Sequence, residues 1–200
     1  MPRVYIETTI PSYLAARSTS DVILAARQCL THAWWNQRRH VFECCISQLV
    51  LDEAARGDAA AATRRLALLK PFPLLELNGE ASELAERLLI ERALPAKAAD
   101  DAAHIAVSAV HRVNFLLTWN FRHIANAEIR EAVRRVCVLA GYGLPVICTP
   151  EELLGGSYDG HGAKRDPPHQ RCDHARKSRR CSCDSETRGR APENGGATSD

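Results

Sequence analysis

The sequence has no run of about 18 apolar residues, so nothing in it reads as a transmembrane helix. Its opening, MPRVYIETT, lacks the apolar stretch of a secretory signal. These two absences predict a cytoplasmic protein with no membrane partner. In that compartment the eight cysteines are expected as thiols rather than bridges. Five of them, Cys29, Cys44, Cys45, Cys137 and Cys148, lie among apolar neighbours and read as small core residues. Charge of one sign is scarce as well. The 26 Lys and Arg against 24 Asp and Glu leave +2, which argues for no particular partner across the whole chain. Residues 1–156 balance at 17 of each sign, so the excess sits in residues 157–200. Beyond Leu154 there is no Leu, Ile, Val, Met or Phe. Such a stretch cannot bury enough surface to offset its ordering entropy. The expectation is one folded domain over 1–156 and a disordered basic tail over 157–200. The tail's Cys172 and Cys181 are too far apart for a zinc pair, and Cys181 and Cys183 too close. Its basic run from Lys164 to Arg180 either holds nucleic acid loosely or is an uninformative extension. The chain has no internal repeat.

What is present is an alternation of short apolar runs with amphipathic helices. Val4–Ile6, Val41–Ile46, Leu74–Leu77, Phe115–Leu117 and Val146–Cys148 read as strands too short for helices. Between them lie helical patterns. One runs from Val22 to about Arg38, with Ile23, Ala26, Leu30 and Trp34 on one face and caps available from Ser18 to Asp21. A second follows Ser47, which can cap it, and ends at Gly57. A third starts after Asp58 and runs to about Lys70. The next spans Gly79–Ala93, with Leu84, Leu88 and Leu89 inward. The central one begins at Asp100-Asp101, and Glu128–Ala140 follows. Thr149-Pro150-Glu151-Glu152 reads as cap and acidic first turn of a last short helix. Strands alternating with helices predict an α/β fold with a parallel sheet of four or five strands covered on both faces.

In open α/β sheets, sites lie at the carboxyl ends of the strands. Glu7 ends the first strand, Glu53 lies in the helix after the second, Asp101 opens the central helix, and Asn120 follows the fourth strand. Asp100 is an alternative to Asp101, but Asp101 sets Ile105 and Ala109 on the buried face. Three carboxylates gathered at one point raise one another's pKa, so a cation is expected among them. Oxygen ligands of this charge suit Mg²⁺ or Mn²⁺, and such an ion activates water against a phosphodiester.

Four stretches carry a resemblance: Tyr5-Ile6-Glu7-Thr8-Thr9, Ser47 through Glu53, Asp101-Ala102-Ala103-His104-Ile105-Ala106, and Leu117-Thr118-Trp119-Asn120-Phe121. In this order and spacing the chain resembles the PIN domains, and within them the VapC-type ribonuclease toxins of toxin–antitoxin systems. The resemblance covers residues 3–154. It implies a PIN-like three-layer α/β sandwich and a Mg²⁺-dependent acidic pocket built from Glu7, Glu53, Asp101 and Asn120. It also implies RNA as substrate, a homodimer and a small antitoxin protein as partner. Two positions depart from the family pattern. Its first acid is usually Asp, and Glu7 is one methylene longer. Its fourth position is usually Asp, and Asn120 brings an oxygen but no charge, which implies a weaker second metal.

Several neighbours are open to two readings. Thr9 either hydrogen-bonds a metal-bound water or caps its helix. His104 either faces the pocket or is a packed, hydrogen-bonded core histidine. Arg122, His123 and Asn126 either hold RNA phosphate or form an ordinary polar loop. Trp34 and Trp35 either stack bases or belong to the core or a dimer surface.

Overall fold

Strand β1 (Arg3–Ile6) runs through the middle of a five-stranded sheet, and its Val4, Tyr5 and Ile6 are fully covered. The structure is a computed structural model and describes residues 1–155. The expected tail lies outside the described residues. The other strands are β2 (Glu43–Ser47), β3 (Leu74–Leu75), β4 (Phe115–Leu117) and β5 (Val146–Cys148). Every pairing is parallel, in the order β3-β2-β1-β4-β5. Val4 stands opposite Cys44 on one side and Phe115 on the other, and Ile6 opposite Leu117. Parallel sheets need both faces covered, which is why these strands read as unbroken apolar runs rather than alternating ones. Val4, Tyr5, Ile6, Leu116 and Leu117 are fully buried. Each large apolar side chain so buried contributes roughly 1.5–3 kcal/mol.

Helices α1 (Thr9–Ala15), α2 (Val22–Gln37), α3 (Gln48–Ala54), α4 (Ala59–Leu69), α5 (Gly79–Ile90), α6 (Ala99–Val110), α7 (Ala127–Leu139) and α8 (Pro150–Leu153) complete the α/β sandwich. Their starts follow local chemistry. Asp21, Asp58, Asn78 and Asn126 each accept a backbone N–H of the helix they precede. Thr149 and Glu152 form a reciprocal capping box on α8. Gly57 and Gly141, both at φ +86°, turn the chain away after α3 and α7. A Cβ at either would meet no atom, so the backbone angle alone calls for glycine there. Helix α6 is the most enclosed. Ala102, His104, Ile105, Ala106, Val107, Ser108 and Ala109 are all buried, and its small residues let it lie close against α5.

The strand order carries the functional consequence. From β1 the chain steps outward through β2 and β3 on one side, then crosses to β4 and β5 on the other. The direction reverses between β1 and β4, and the carboxyl edge at such a reversal is where open α/β sheets place their sites.

Several expectations are corrected. The first turns of α2 project past the core, leaving Val22, Ile23 and Leu24 exposed along with Ala26, while Trp34 is buried as expected. Periodicity identifies residues that share a face, but in this half of the helix no other described residue covers that face. Cys29, on the same helix, is exposed rather than core. Residues Arg39–Val41 form a 3₁₀ turn, so β2 begins at Glu43. Strand β3 stops at Leu75, and α5 ends at Ile90. Among the described residues no helix is long and apolar enough to cross a membrane.

Candidate metal centre

Strand geometry places the first residues of the site. Side chains two apart on a strand share a face, so Tyr5 and Glu7 point the same way from β1. Glu7 continues the sheet for one more bond, its N–H donating to the Leu117 carbonyl at 3.1 Å. Its carboxylate is buried at 4% exposure. Oε2 accepts three hydrogen bonds: the Thr9 N–H at 3.1 Å, the Thr9 hydroxyl at 2.5 Å and the Thr118 hydroxyl at 2.7 Å. The extra methylene of Glu7 is thus used to fold the carboxylate back onto its own loop and the end of β4.

Glu53 arrives from α3 and accepts a hydrogen bond from the Thr8 hydroxyl. Its Oε2 also lies 3.1 Å from Nε2 of His104, which comes from α6 and is buried. Nδ1 of the same ring is 2.8 Å from the Tyr5 hydroxyl, and that hydroxyl is 2.6 Å from Oγ of Ser47. A continuous chain therefore runs from Ser47 through Tyr5 and His104 to Glu53 and Thr8. Ser47 was expected to cap α3. It occupies the cap position, but its side chain makes no cap hydrogen bond and faces Tyr5 instead. Glu7, Glu53 and His104 each bring an atom able to ligate a cation to within 4.8 Å of one another.

Asp101 forms a second knot nearby, close enough for its charge to act on His104. Oδ1 accepts from the Asn120 amide at 2.6 Å, and Oδ2 lies 2.7 Å from Nδ1 of His123. The His123 N–H closes the knot on Asn120 Oδ1 at 3.2 Å. Asn120 is itself fixed by its N–H on the Thr118 hydroxyl. Asp100 lies outside, with 54% of its side chain exposed and paired to Arg56 at 3.5 Å. Thr9 spends its hydroxyl on Glu7 and accepts the Trp119 N–H at 2.8 Å, so it organises the loop. Asn126 caps α7 and donates to the Arg122 carbonyl, while Arg122 is exposed. Trp34 is core, and Trp35 packs edge-on against Trp34 and Phe72 under the Arg39 guanidinium.

The electrostatics follow from burial and pairing. Burial pushes the Glu7 carboxyl above its ordinary range, more than the charge of His104 and the threonine donors offset. Glu53 is desolvated too, but the His104 hydrogen bond and charge, with the Thr8 hydroxyl, hold it below the usual range. Burial works against a charge on His104. The hydrogen bond to Glu53 and the charges of Glu7, Glu53 and Asp101 outweigh it and raise the imidazole pKa. An ionised Glu53 fixes the proton on Nε2. Burial pushes the Tyr5 hydroxyl up, so it remains a neutral link. Glu7 is then a buried carboxylate short of compensating positive charge, with Glu53 beside it. That donor set suits a hard divalent cation held by Glu7 and Glu53. For His104 to join, it would have to give up a ring hydrogen bond.

The structure thus joins Glu7, Glu53 and His104 in one group, and Asp101, Asn120 and His123 in an adjoining one. Tyr5, Thr8 and Thr118 were read only as parts of the resembling stretches and Ser47 also as a helix cap; none was given a role in the site. The period-2 relation of Tyr5 to Glu7, and Thr118 one residue past β4, were the available signals. No protein-family model matches the chain, and neither does any curated protein or solved structure.

Proposed function

We propose that the chain is a metal-dependent endoribonuclease of the PIN type. In this reading it is the toxin of a toxin–antitoxin pair, acting in the cytoplasm as a homodimer restrained by a small antitoxin protein. The observation that carries the reading is the Glu7–Glu53 carboxylate pair at the carboxyl edge of a parallel sheet, with Glu7 buried and short of positive charge and Glu53 half-buried beside it. Glu7 and Glu53 hold Mg²⁺ or Mn²⁺, and Asp101 with Asn120 adds oxygens from the adjoining group. Bound there, the ion supplies water activation and charge neutralisation for phosphodiester cleavage. Thr9 and Thr118 orient Glu7, while Thr8 and His104 orient Glu53. Exposed Arg122 meets backbone phosphate.

One observation favours a second reading, a PIN-like module that binds nucleic acid or protein without cutting. Both oxygens of Asp101 are already engaged, by Asn120 and His123. A cleavage assay separates the two. The full chain and Glu7→Gln are incubated with a varied pool of single-stranded RNA across a Mg²⁺ and a Mn²⁺ series. Metal-dependent cleavage lost in Glu7→Gln supports the nuclease. Cleavage that survives Glu7→Gln removes Glu7 from the site. RNA binding without cleavage favours the module.

A further inference from the structure

The loop that carries Asn120 continues into Phe121, whose side chain is 45% exposed. Its ring lies 6.0 Å from that of Trp119, which is anchored from three sides. The Trp119 N–H is held by Thr9, its indole N–H donates to the buried Thr31 hydroxyl at 2.8 Å, and Tyr13 packs edge-on at 6.1 Å. Over this platform lies half-buried Arg27 from α2. Its guanidinium carbon is 5.0 Å from the Phe121 ring centre and 5.6 Å from that of Trp119, and it donates to the Tyr13 hydroxyl at 3.3 Å. Among the described residues no carboxylate comes within ion-pair distance of Arg27. A cation kept half out of water with no anion is costly unless a ligand supplies one. The platform is coupled to the acids through a single side chain, since the Thr9 hydroxyl contacts both Trp119 and Glu7.

We infer that Arg27 and Phe121 form a subsite for an unpaired nucleotide flanking the acidic cluster, with the base on the Phe121 ring and a phosphate on the Arg27 guanidinium. The two side chains supply what such a nucleotide requires: a partly open π-face, a planar cation able to bind phosphate with two donors, and a rigid mount. Of the aromatics that stand out in the sequence, Trp34 is buried and half-buried Trp35 lies under the Arg39 guanidinium. The subsite deepens the proposed RNA-cleaving role and rests on it for the identity of its ligand. It makes single-strandedness next to the scissile bond a requirement, because a paired base cannot lie on the ring.

The test separates binding from cleavage. A short fluorescein-labelled oligoribonucleotide, single-stranded or annealed to its complement, is titrated with the full chain in EDTA and followed by anisotropy. Phe121→Ala is expected to weaken single-strand binding roughly 5- to 150-fold, the range for one stacked base. It should leave duplex binding unchanged, and Phe121→Tyr should restore the wild-type value. Arg27→Gln is expected to reduce the slope of log affinity against log salt by about 0.7, the value for one phosphate contact on a single strand. Wild-type single-strand affinity in Phe121→Ala, or equal binding of duplex and single strand by wild type, overturns the subsite. Adding Mn²⁺ to the same samples reads the activity separately. Phe121-dependent binding with no cleavage overturns the nuclease and leaves the subsite standing.

Discussion

Removing one oxygen, in Tyr5→Phe, tests whether the buried chain from Ser47 to Glu53 is a structural unit. The Tyr5 hydroxyl serves Ser47 at 2.6 Å and His104 at 2.8 Å, and all three groups are buried. The ring itself keeps its packing, so no cavity of consequence forms. The cost comes from the partners left behind. His104 Nδ1 loses its hydrogen bond inside the core, and a buried orphan of this kind costs about 1–3 kcal/mol. Ser47 has an escape. It already has the backbone of an N-cap, φ −125° and ψ 172°, with its side chain turned away. Released from Tyr5 it can rotate onto the first turn of α3 and recover up to about 1 kcal/mol. With the cost near the middle of that range, the net expectation is a loss of about 1–2 kcal/mol, read in urea as a lower midpoint at unchanged slope. The rescue has its own signature. Ser47→Ala added to Tyr5→Phe should cost about a further 1 kcal/mol, the loss of the new cap. If Ser47→Ala is neutral or stabilising in that background, Ser47 did not rotate. If Tyr5→Phe changes stability by less than about 0.5 kcal/mol, the chain is not the unit described here.

In the metal-free protein stability should fall as pH rises above neutrality. His104 is raised above 6.5, so its contribution is complete below 6.5 and lost as pH climbs through the higher folded value. Glu7, raised above 4.5, acts in the same direction, because the folded state retains a proton that the unfolded chain has released. Glu53, lowered from 4.5, matters only on the acid side, where its contribution is lost as pH falls. Urea midpoints between about pH 6.5 and 8 should show a slope of at most about 1.4 kcal/mol per pH unit for each proton involved; saturating Mn²⁺ should flatten or reverse it. Asn120→Asp replaces a 2.6 Å hydrogen bond to Asp101 with two facing carboxylates. It should lower metal-free stability and tighten Mn²⁺ binding by about 1–3 kcal/mol, both measurable by calorimetry. Arg92 and Arg112 hold φ of 55° and 52° just past α5 and α6, so Arg92→Gly and Arg112→Gly should each raise stability by about 1 kcal/mol in thermal unfolding.

The order of strands and helices was legible because each apolar run and each cap is a local signal. Asp21, Asp58 and the Thr149–Glu152 box act where the residue types indicate. What local signals do not carry is the identity of the covering partner. Ile23 and Ala26 share a helical face with Trp34, but only the later turns of α2 meet the core. Ser47 has the residue type of a cap and the position of one, yet Tyr5 lies 2.6 Å away and takes its hydroxyl. Glu7 and Glu53 were legible as acids near strand ends. That His104 would join them, while Asp101 turned to Asn120 and His123, depended on distances set by the packing of α6. Phe121 and Arg27 are 94 positions apart in sequence, and only the fold brings them together.

Mn²⁺ titration by calorimetry decides whether Glu7 and Glu53 together hold a divalent cation. Wild type, Glu7→Gln and Glu53→Gln are compared at one pH, with far-ultraviolet circular dichroism confirming that each is folded. Wild type is expected to show one saturable Mn²⁺ site, and each variant a loss of affinity of at least about tenfold, since each removes a full charge from the ion's side. Equal affinity in all three, or no saturable site in wild type, would contradict this assignment.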